Sequence, residues 1–354
     1  MKENHRKVYI QAAEQISMQQ PLSEQWMEEP QYYTDGMVKA VNPPFRDYMA
    51  ANEVRRTGGL MKRALATALK VLRATGVEHP DAIVTGTGLG SLDYTERFLD
   101  DMVENGEEAL SPTLFMQTTH NTVGAALGIY TKTHGYNSTY SHGGISFELA
   151  LMDAWMQLQT GSIHMALVGG HDEMVESYYN ILRTTEYVGV KGMVPCSEVA
   201  VSMLLTSPDP SQGGGSDGSV LCEVAGISVA YKASAEDVLR LTEQMLGEAD
   251  MTMEDVSAVM TGVNGNPAND IHYRNILDHL FPHLPHLHYK HVFGENYTAS
   301  ALGVYAAAHC LERDVVPPFL YDDASPCQCD SLKSILLLNQ AEGRDLTLLL
   351  LKRL

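Results

Sequence analysis

Apolar residues in this chain gather into short runs of two kinds, set apart by polar and glycine-rich stretches. From Gly59 to Thr75 they recur at i, i+3 and i+4, which predicts an amphipathic helix ending before Gly76. AIVTG at 82–86 reads as a buried strand, and NTVGAALGIYTKTHG as a helix whose Gly and Ala residues allow close packing. YNSTYS at 136–141 has the strand period, and residues 145–159 read as a mostly apolar helix. HMALVGG, AVSMLL, VLCEVAGISVAY and the C-terminal LTLLLLKRL read as further buried strands. Alternating strands and helices predict a layered α/β fold with largely parallel strands.

The pattern occurs twice. Asp81–Gly88 (DAIVTGTG) matches Ser257–Asn264 (SAVMTGVN) at an offset of 176, and Ala126–His134 matches Ala301–His309 at 175. Two matches in one order at nearly one spacing predict an internal duplication. SPDPSQGGGSDGS at 207–219 is aperiodic and rich in Pro, Gly and Ser, so it reads as a linker. The expected halves are residues 1–206 and 220–354, stacked as a five-layer αβαβα sandwich.

Composition narrows the function classes. Hydrophobic residues make up 44% and charged residues 19%, as in an ordinary globular chain. Lys and Arg total 24 against 44 Asp and Glu, a formal charge of −20. That balance opposes general attraction to nucleic acid or to an anionic membrane. No apolar run approaches a membrane span, and MKENHRK leads into no signal-like core, so neither membrane insertion nor secretion is expected. Five scattered cysteines point to a reducing cytoplasm.

Residues 135–173 carry the chemical signal. A strand runs through Gly143-Gly144 directly into a buried helix, a corner that holds one side chain at a helix N-terminus. The helix dipole and free N–H groups there stabilise a thiolate or an oxyanion. Here the corner carries glycine and no thiol.

This corner, with five other segments, resembles the β-ketoacyl synthases of the thiolase superfamily. DAIVTGTGLGSLDYTERFLDDMVENG, SPTLFMQTTHNTVGAALG and GSIHMALVGGHDE are similar to the family's first-half motifs. TGVNGNPAND and KHVFGENYTASALG stand where the family has Ala-His-Gly-Thr-x-Thr-Pro-x-x-Asp and Lys-Ser-x-x-Gly-His-x-x-Gly-Ala. The resemblance implies a thiolase-like fold, and chemistry by an acylated Cys and two His that drive decarboxylative condensation. The nucleophile position falls on Gly144, the first His on Gly262 and the second on Glu295, while Pro267, Asp270, Lys290 and Gly294 are retained. Asn339-Gln-Ala-Glu-Gly343 replaces the family's glycine-rich loop.

Members with such a degenerate site are chain-length factors, which pair with an active ketosynthase and shape the tunnel in which its product grows. The resemblance places the dimer contact at residues 136–141 and 112–121. Phe115, Met116, His120 and Thr122 are then candidates for capping the partner's tunnel, with plain core packing as the alternative. An acyl carrier protein is the implied third party, and Arg55, Arg56, Lys62 and Arg63 its candidate docking cations, or else a solvated helix flank. Other readings remain open: a stand-alone homodimer, an active condensing enzyme or acyltransferase with a rearranged site, or a hydrolase using Ser146 or Ser141 with His142. No cofactor or metal is expected. The histidines of HLFPHLPHLHYKH (His279, His283, His286, His288, His291) lack a recognised zinc spacing. Cys327-Gln-Cys329 reads as a loop, and Asp172-Glu173 as solvated charges.

Overall fold

A computed structural model describes residues 5–34, 36–107, 110–208 and 220–354. The expected linker therefore lies, from residue 209 onward, outside the described residues. The strands are β1 Tyr9–Ile16, β2 Met37–Val38, β3 Ala82–Gly86, β4 Tyr136–Tyr140, β5 Met165–Asp172, β6 Cys196–Ser197 and β7 Val199–Thr206, followed by β8 Cys222–Tyr231, β9 Ala258–Thr261, β10 His286–His288, β11 Ser334–Ala341 and β12 Asp345–Lys352. The helices are α1 Ala51–Arg56, α2 Gly59–Thr75, α3 Leu92–Asn105, α4 Pro112–Gln117, α5 Thr122–Thr131 and α6 Ser146–Gln159. Then come α7 Glu176–Thr184, α8 Ala235–Glu248, α9 Pro267–Leu280, α10 Lys290–Phe293 and α11 Ser300–Arg313.

Ten strands form one sheet in the order β10-β9-β11-β12-β8-β1-β7-β5-β3-β4. Split at its centre, each five-strand set runs first, last, fourth, second, third in its own chain order. The same path is thus traced twice, as the duplicated motifs require. Among the described residues the sets join along β1 and β8, where Tyr9 pairs with Glu223 and Ile10 with Cys222.

The strands are mixed in direction, not largely parallel. β3 is parallel to β4 and β5, and β9 to β10 and β11, but β7 and β12 run antiparallel to their neighbours. For β12 the reason is the three-residue turn Glu342–Arg344, since a parallel return needs a crossover of a dozen residues or more.

Helices complete five layers. α2 and α5 cover the outer face of the first set, and α8 and α9 that of the second. α6 and α11 lie between, touching strands of both. α11 is buried from Ser300 to Leu311, and its Ala and Gly residues let both sets close on it. α2 shows the predicted stripe, with Leu60, Ala64, Leu65, Ala68, Val71 and Leu72 buried and a left-handed Gly76 at its end. Among the described residues no helix is long and apolar enough to cross a membrane.

Candidate functional site

The strand-to-helix corner has the geometry its sequence implies. β4 ends at Tyr140, Gly143 turns the chain at φ +52°, and α6 starts at Ser146. The Ser146 hydroxyl accepts the His142 N–H at 2.7 Å and donates to the Gly143 carbonyl at 2.8 Å. Ser146 therefore staples the turn, while the exposed His142 ring lies 3.8 Å from Asp345 and Ser141 is bonded to the Gly88 carbonyl. Neither Ser141 nor Ser146 is hydrogen-bonded to the His142 ring.

Gly144 faces the end of β11. Its carbonyl accepts the Asn339 side-chain amide at 2.9 Å, and a Cβ added to it would lie 3.2 Å from Ala341 Cβ. Gly144 lines one cavity with Asn264, Asn269, Lys290, Glu295 and Asn339, so residues far apart in sequence meet there. Leu182, Tyr187 and Val188, on α7 and just after it, also line it. The space left is ≈ 30 Å³. That is room for about one water, against the several hundred Å³ typical of ligand pockets.

The cavity's charges neutralise each other. Lys290 Nζ lies 2.8 and 2.9 Å from the two oxygens of Glu295, with both side chains buried, and Asn264 donates to Glu295 as well. At Gly262, a Cβ would lie 2.8 Å from the Tyr273 hydroxyl and 3.1 Å from Lys290 Cε and the Tyr289 hydroxyl. Tyrosine hydroxyls and the lysine stem have taken the space of any side chain at 262.

The retained motif residues shape backbone. Pro267 opens α9, and Asp270 accepts the N–H groups of Asn264 and Gly265 at 3.0 and 2.8 Å. Gly294 sits at φ +81°, and a Cβ there would approach Ser197 Cβ to 2.5 Å, so only glycine fits.

One thiol does reach the site. Cys196, on β6, lines the cavity beside Glu295, which sequence distance from the corner had concealed. Burial, reinforced by Glu295, pushes its thiol up to about 12. A thiol so protonated is a poor nucleophile at neutral pH.

Glu148, Tyr273 and Tyr289 carried no sequence-based role. Glu148, fully buried in α6, accepts from Asn339 at 2.6 Å and from Thr347 at 3.3 Å, and burial raises its carboxyl. Tyr273 donates to Asn339, whose own amide ties Glu148 to the Gly144 corner. Tyr289 fills space beside Gly262. The available signals were a lone carboxylate among apolar residues in SFELAL and the polar Asn-Gln break in SILLLNQA.

Two charge readings need correction. Asp172 and Glu173 are buried, not solvated. Asp172 accepts from Thr87 Oγ1, Thr298 Oγ1 and the N–H groups of Gly88 and Leu89, and so binds the Gly-Thr-Gly-Leu-Gly segment to β5. Glu173 accepts from Ser91 and the Asp93 N–H. Arg63 is also buried, 3.1 Å from Glu198 and 3.7 Å from Glu173, so it is no docking cation. Arg55 and Arg56 are exposed, and Lys62 lies over the Phe45 ring.

Phe115, Met116 and His120 are exposed, which excludes core packing for them, and Thr122 is half-buried with its hydroxyl bonded to the Met116 and Thr119 carbonyls. Of the histidine run, His288 and His291 stack at 4.0 Å with rings nearly parallel, and His286 bonds the Phe281 carbonyl. Among the described residues only Glu24, His309 and Glu312 bring three ligand atoms together, and Arg313 already pairs with Glu24.

Residues 24–246 match the family model described as the N-terminal domain of beta-ketoacyl synthase. The chain belongs to the β-ketoacyl synthase family. Within it, a curated relative is 3-oxoacyl-[acyl-carrier-protein] synthase 2 of Mycobacterium leprae (strain TN), 27% identical over 129 residues. That alignment covers 35% of this chain and only 31% of the relative. Two solved structures share the β-ketoacyl synthase fold across 99% of the chain. One is the ishigamide ketosynthase/chain length factor, with a TM-score of 0.82, 16% identity and 100% of that chain covered. The other is a ketosynthase in complex with its chain length factor from Xenorhabdus doucetiae, with a TM-score of 0.78, 15% identity and 98% covered.

Proposed function

We propose that this β-ketoacyl synthase homologue does not condense acyl groups itself, and acts as the chain-length-factor partner of an active ketosynthase in fatty-acid or polyketide-type synthesis. One observation carries the reading: the corner that holds the family's nucleophile bears Gly144, beside a Lys290–Glu295 pair in a cavity of ≈ 30 Å³. Glycine has no atom to acylate. Both Glu295 oxygens accept from Lys290, and a carboxylate would oppose the negative charge that develops on decarboxylation. Cys196 offers no substitute while its thiol stays protonated.

The partner reading draws on β4, a terminal strand of the ten-stranded sheet, and on the exposed Phe115 and Met116. Both solved structures named above include a chain length factor, the second in complex with its ketosynthase. An acyl carrier protein would meet the assembled pair. Arg55 and Arg56 remain for docking it, and the overall charge of −20 limits such contact to a small patch or leaves it to the partner. The five unpaired cysteines fit a cytoplasmic setting, and the two halves are assigned as residues 1–206 and 220–354 around a 207–219 linker.

Co-expression of the tagged chain with the β-ketoacyl synthases of its source genome tests the reading. One synthase is expected to co-purify at equal stoichiometry and to yield a product whose length shifts when Phe115 or Met116 is changed. Retention of none, with a stable homodimer instead, would favour a stand-alone role.

A further inference from the structure

A second, smaller cavity adjoins the one that Gly144 lines. Glu148 from α6, Tyr289 just before α10, Ser300 at the start of α11, Asn339 from β11 and Thr347 from β12 lie on its wall. The rest of the wall is apolar, and every lining residue is buried. The space is ≈ 10 Å³, and Ser300 and Asn339 line both cavities.

Three polar atoms on this wall have no hydrogen-bond partner among the described residues: Glu148 Oε2, the Tyr289 hydroxyl and Ser300 Oγ. Buried polar groups are rarely left unpaired, so three around one space call for a shared partner. The space is about what one water needs, and a buried water makes two to four hydrogen bonds. Glu148 also lacks a counter-charge. Among the described residues no Lys, Arg or His pairs with it, and Lys290 in the adjoining cavity is already neutralised by Glu295. A lone carboxyl in such surroundings keeps its proton instead of its charge. Burial raises the Glu148 carboxyl, and its hydrogen bonds only partly oppose this. Oε1 accepts from Asn339 and Thr347, which leaves Oε2 to carry the proton.

From this geometry we infer that the cavity is a water site, in which one water bridges Glu148 Oε2, the Tyr289 hydroxyl and Ser300 Oγ, with Glu148 present as a neutral carboxylic acid. The water accepts the Glu148 proton and gives its own two hydrogens to the two hydroxyl oxygens, so each orphaned atom gains a partner. Asn339 carries the effect onward, because its amide is shared between Glu148 Oε1 at 2.6 Å and the Gly144 carbonyl at 2.9 Å. Glu148 is thus a positioning residue for the corner. The inference does not depend on the chain-length-factor reading.

Infrared difference spectroscopy of the full chain against Glu148→Gln, at neutral pH in H2O and in D2O, tests the acid. A protonated-carboxyl stretch is expected in wild type alone, lowered in D2O and displaced in Ser300→Ala and in Tyr289→Phe. Carboxylate bands only would overturn the neutral acid, and a stretch unmoved by both hydroxyl variants would overturn the bridge. A crystal structure of the unmodified chain, at a resolution that orders buried water, decides the site even where Glu148→Gln does not fold. One water within hydrogen-bond reach of all three oxygens is expected. An empty cavity would overturn the inference, as would an anomalous peak there after soaking in rubidium chloride, which would mean an ionised Glu148 holding a monovalent cation.

Discussion

Lys290 and Glu295 define how the site behaves at the scale of single residues. Their charges are buried and satisfied by each other, so removing one partner leaves the other uncompensated. Lys290→Met is expected to destabilise the fold by about 3–5 kcal/mol, and the double change Lys290→Met/Glu295→Leu to restore much of that loss. Urea unfolding of the three variants measures it, and a single variant as stable as wild type would show the pair to be solvated. Glu14 gives a pH signature elsewhere. Burial, only partly offset by Lys70 and His309, raises its carboxyl from 4.5 to about 7. Between those values the folded state keeps a proton that the unfolded chain releases, so stability falls as pH rises through that window. Glu14→Gln does not titrate. It is expected to match wild type below pH 4.5 and to exceed it by about 1–3 kcal/mol at pH 8. Thermal melts across pH read this directly, and parallel curves would refute it. Residue identity at the corner was legible in sequence because Gly144 can be counted back from Gly161. The state of Arg63, Asp172 and Cys196 was not. Arg63 and Asp172 find their partners far along the chain, and Cys196 reaches the cavity through β6, so only the fold reveals which are buried.

At the scale of elements, the retained motifs act as joints between strands and helices. Gly294 links α10 to the segment that holds Glu295, at a φ and a packing distance closed to any side chain. Gly294→Ala is expected to cost about 1–3 kcal/mol, against a few tenths for an exposed helical change such as Asn52→Ala. Equal midpoints for the two in denaturant titration would contradict this joint role. β11 was legible from its leucines, but its Asn339-Gln340 end was not, because those side chains bond to α6, the corner and the first turn of α9 at once. The parallel reading of the strands failed for a local reason too: a short turn between β11 and β12 dictates an antiparallel return.

Over the whole molecule, duplication in the sequence became one strand path traced twice, closed on two shared central helices. Such a scaffold does not depend on the catalytic groups. Asp270, Asp172 and Gly294 hold backbone, and the core lies in leucine-rich strands and the alanine-rich α11. The fold therefore needs no cysteine at 144 and no histidine at 262 or 295. The same scaffold leaves Phe115 and Met116 exposed on α4 and β4 as a terminal strand, both on the first half. Cys196 supplies a check on this closed state. In the native protein it is expected to react with an aromatic disulfide reagent at least a hundredfold more slowly than after unfolding in urea, as judged by mass spectrometry of labelled peptides. Rapid native labelling would mean that the cavity opens.

The most direct measurement is decarboxylative condensation by the purified chain alone, supplied with acyl- and malonyl-carrier protein and followed by mass spectrometry of the carrier-bound products. The account predicts neither acyl-protein adduct nor β-ketoacyl product from the chain by itself, with product appearing only when an active ketosynthase is added. Turnover by the chain alone, abolished by Cys196→Ser or by Lys290→Met, would contradict it.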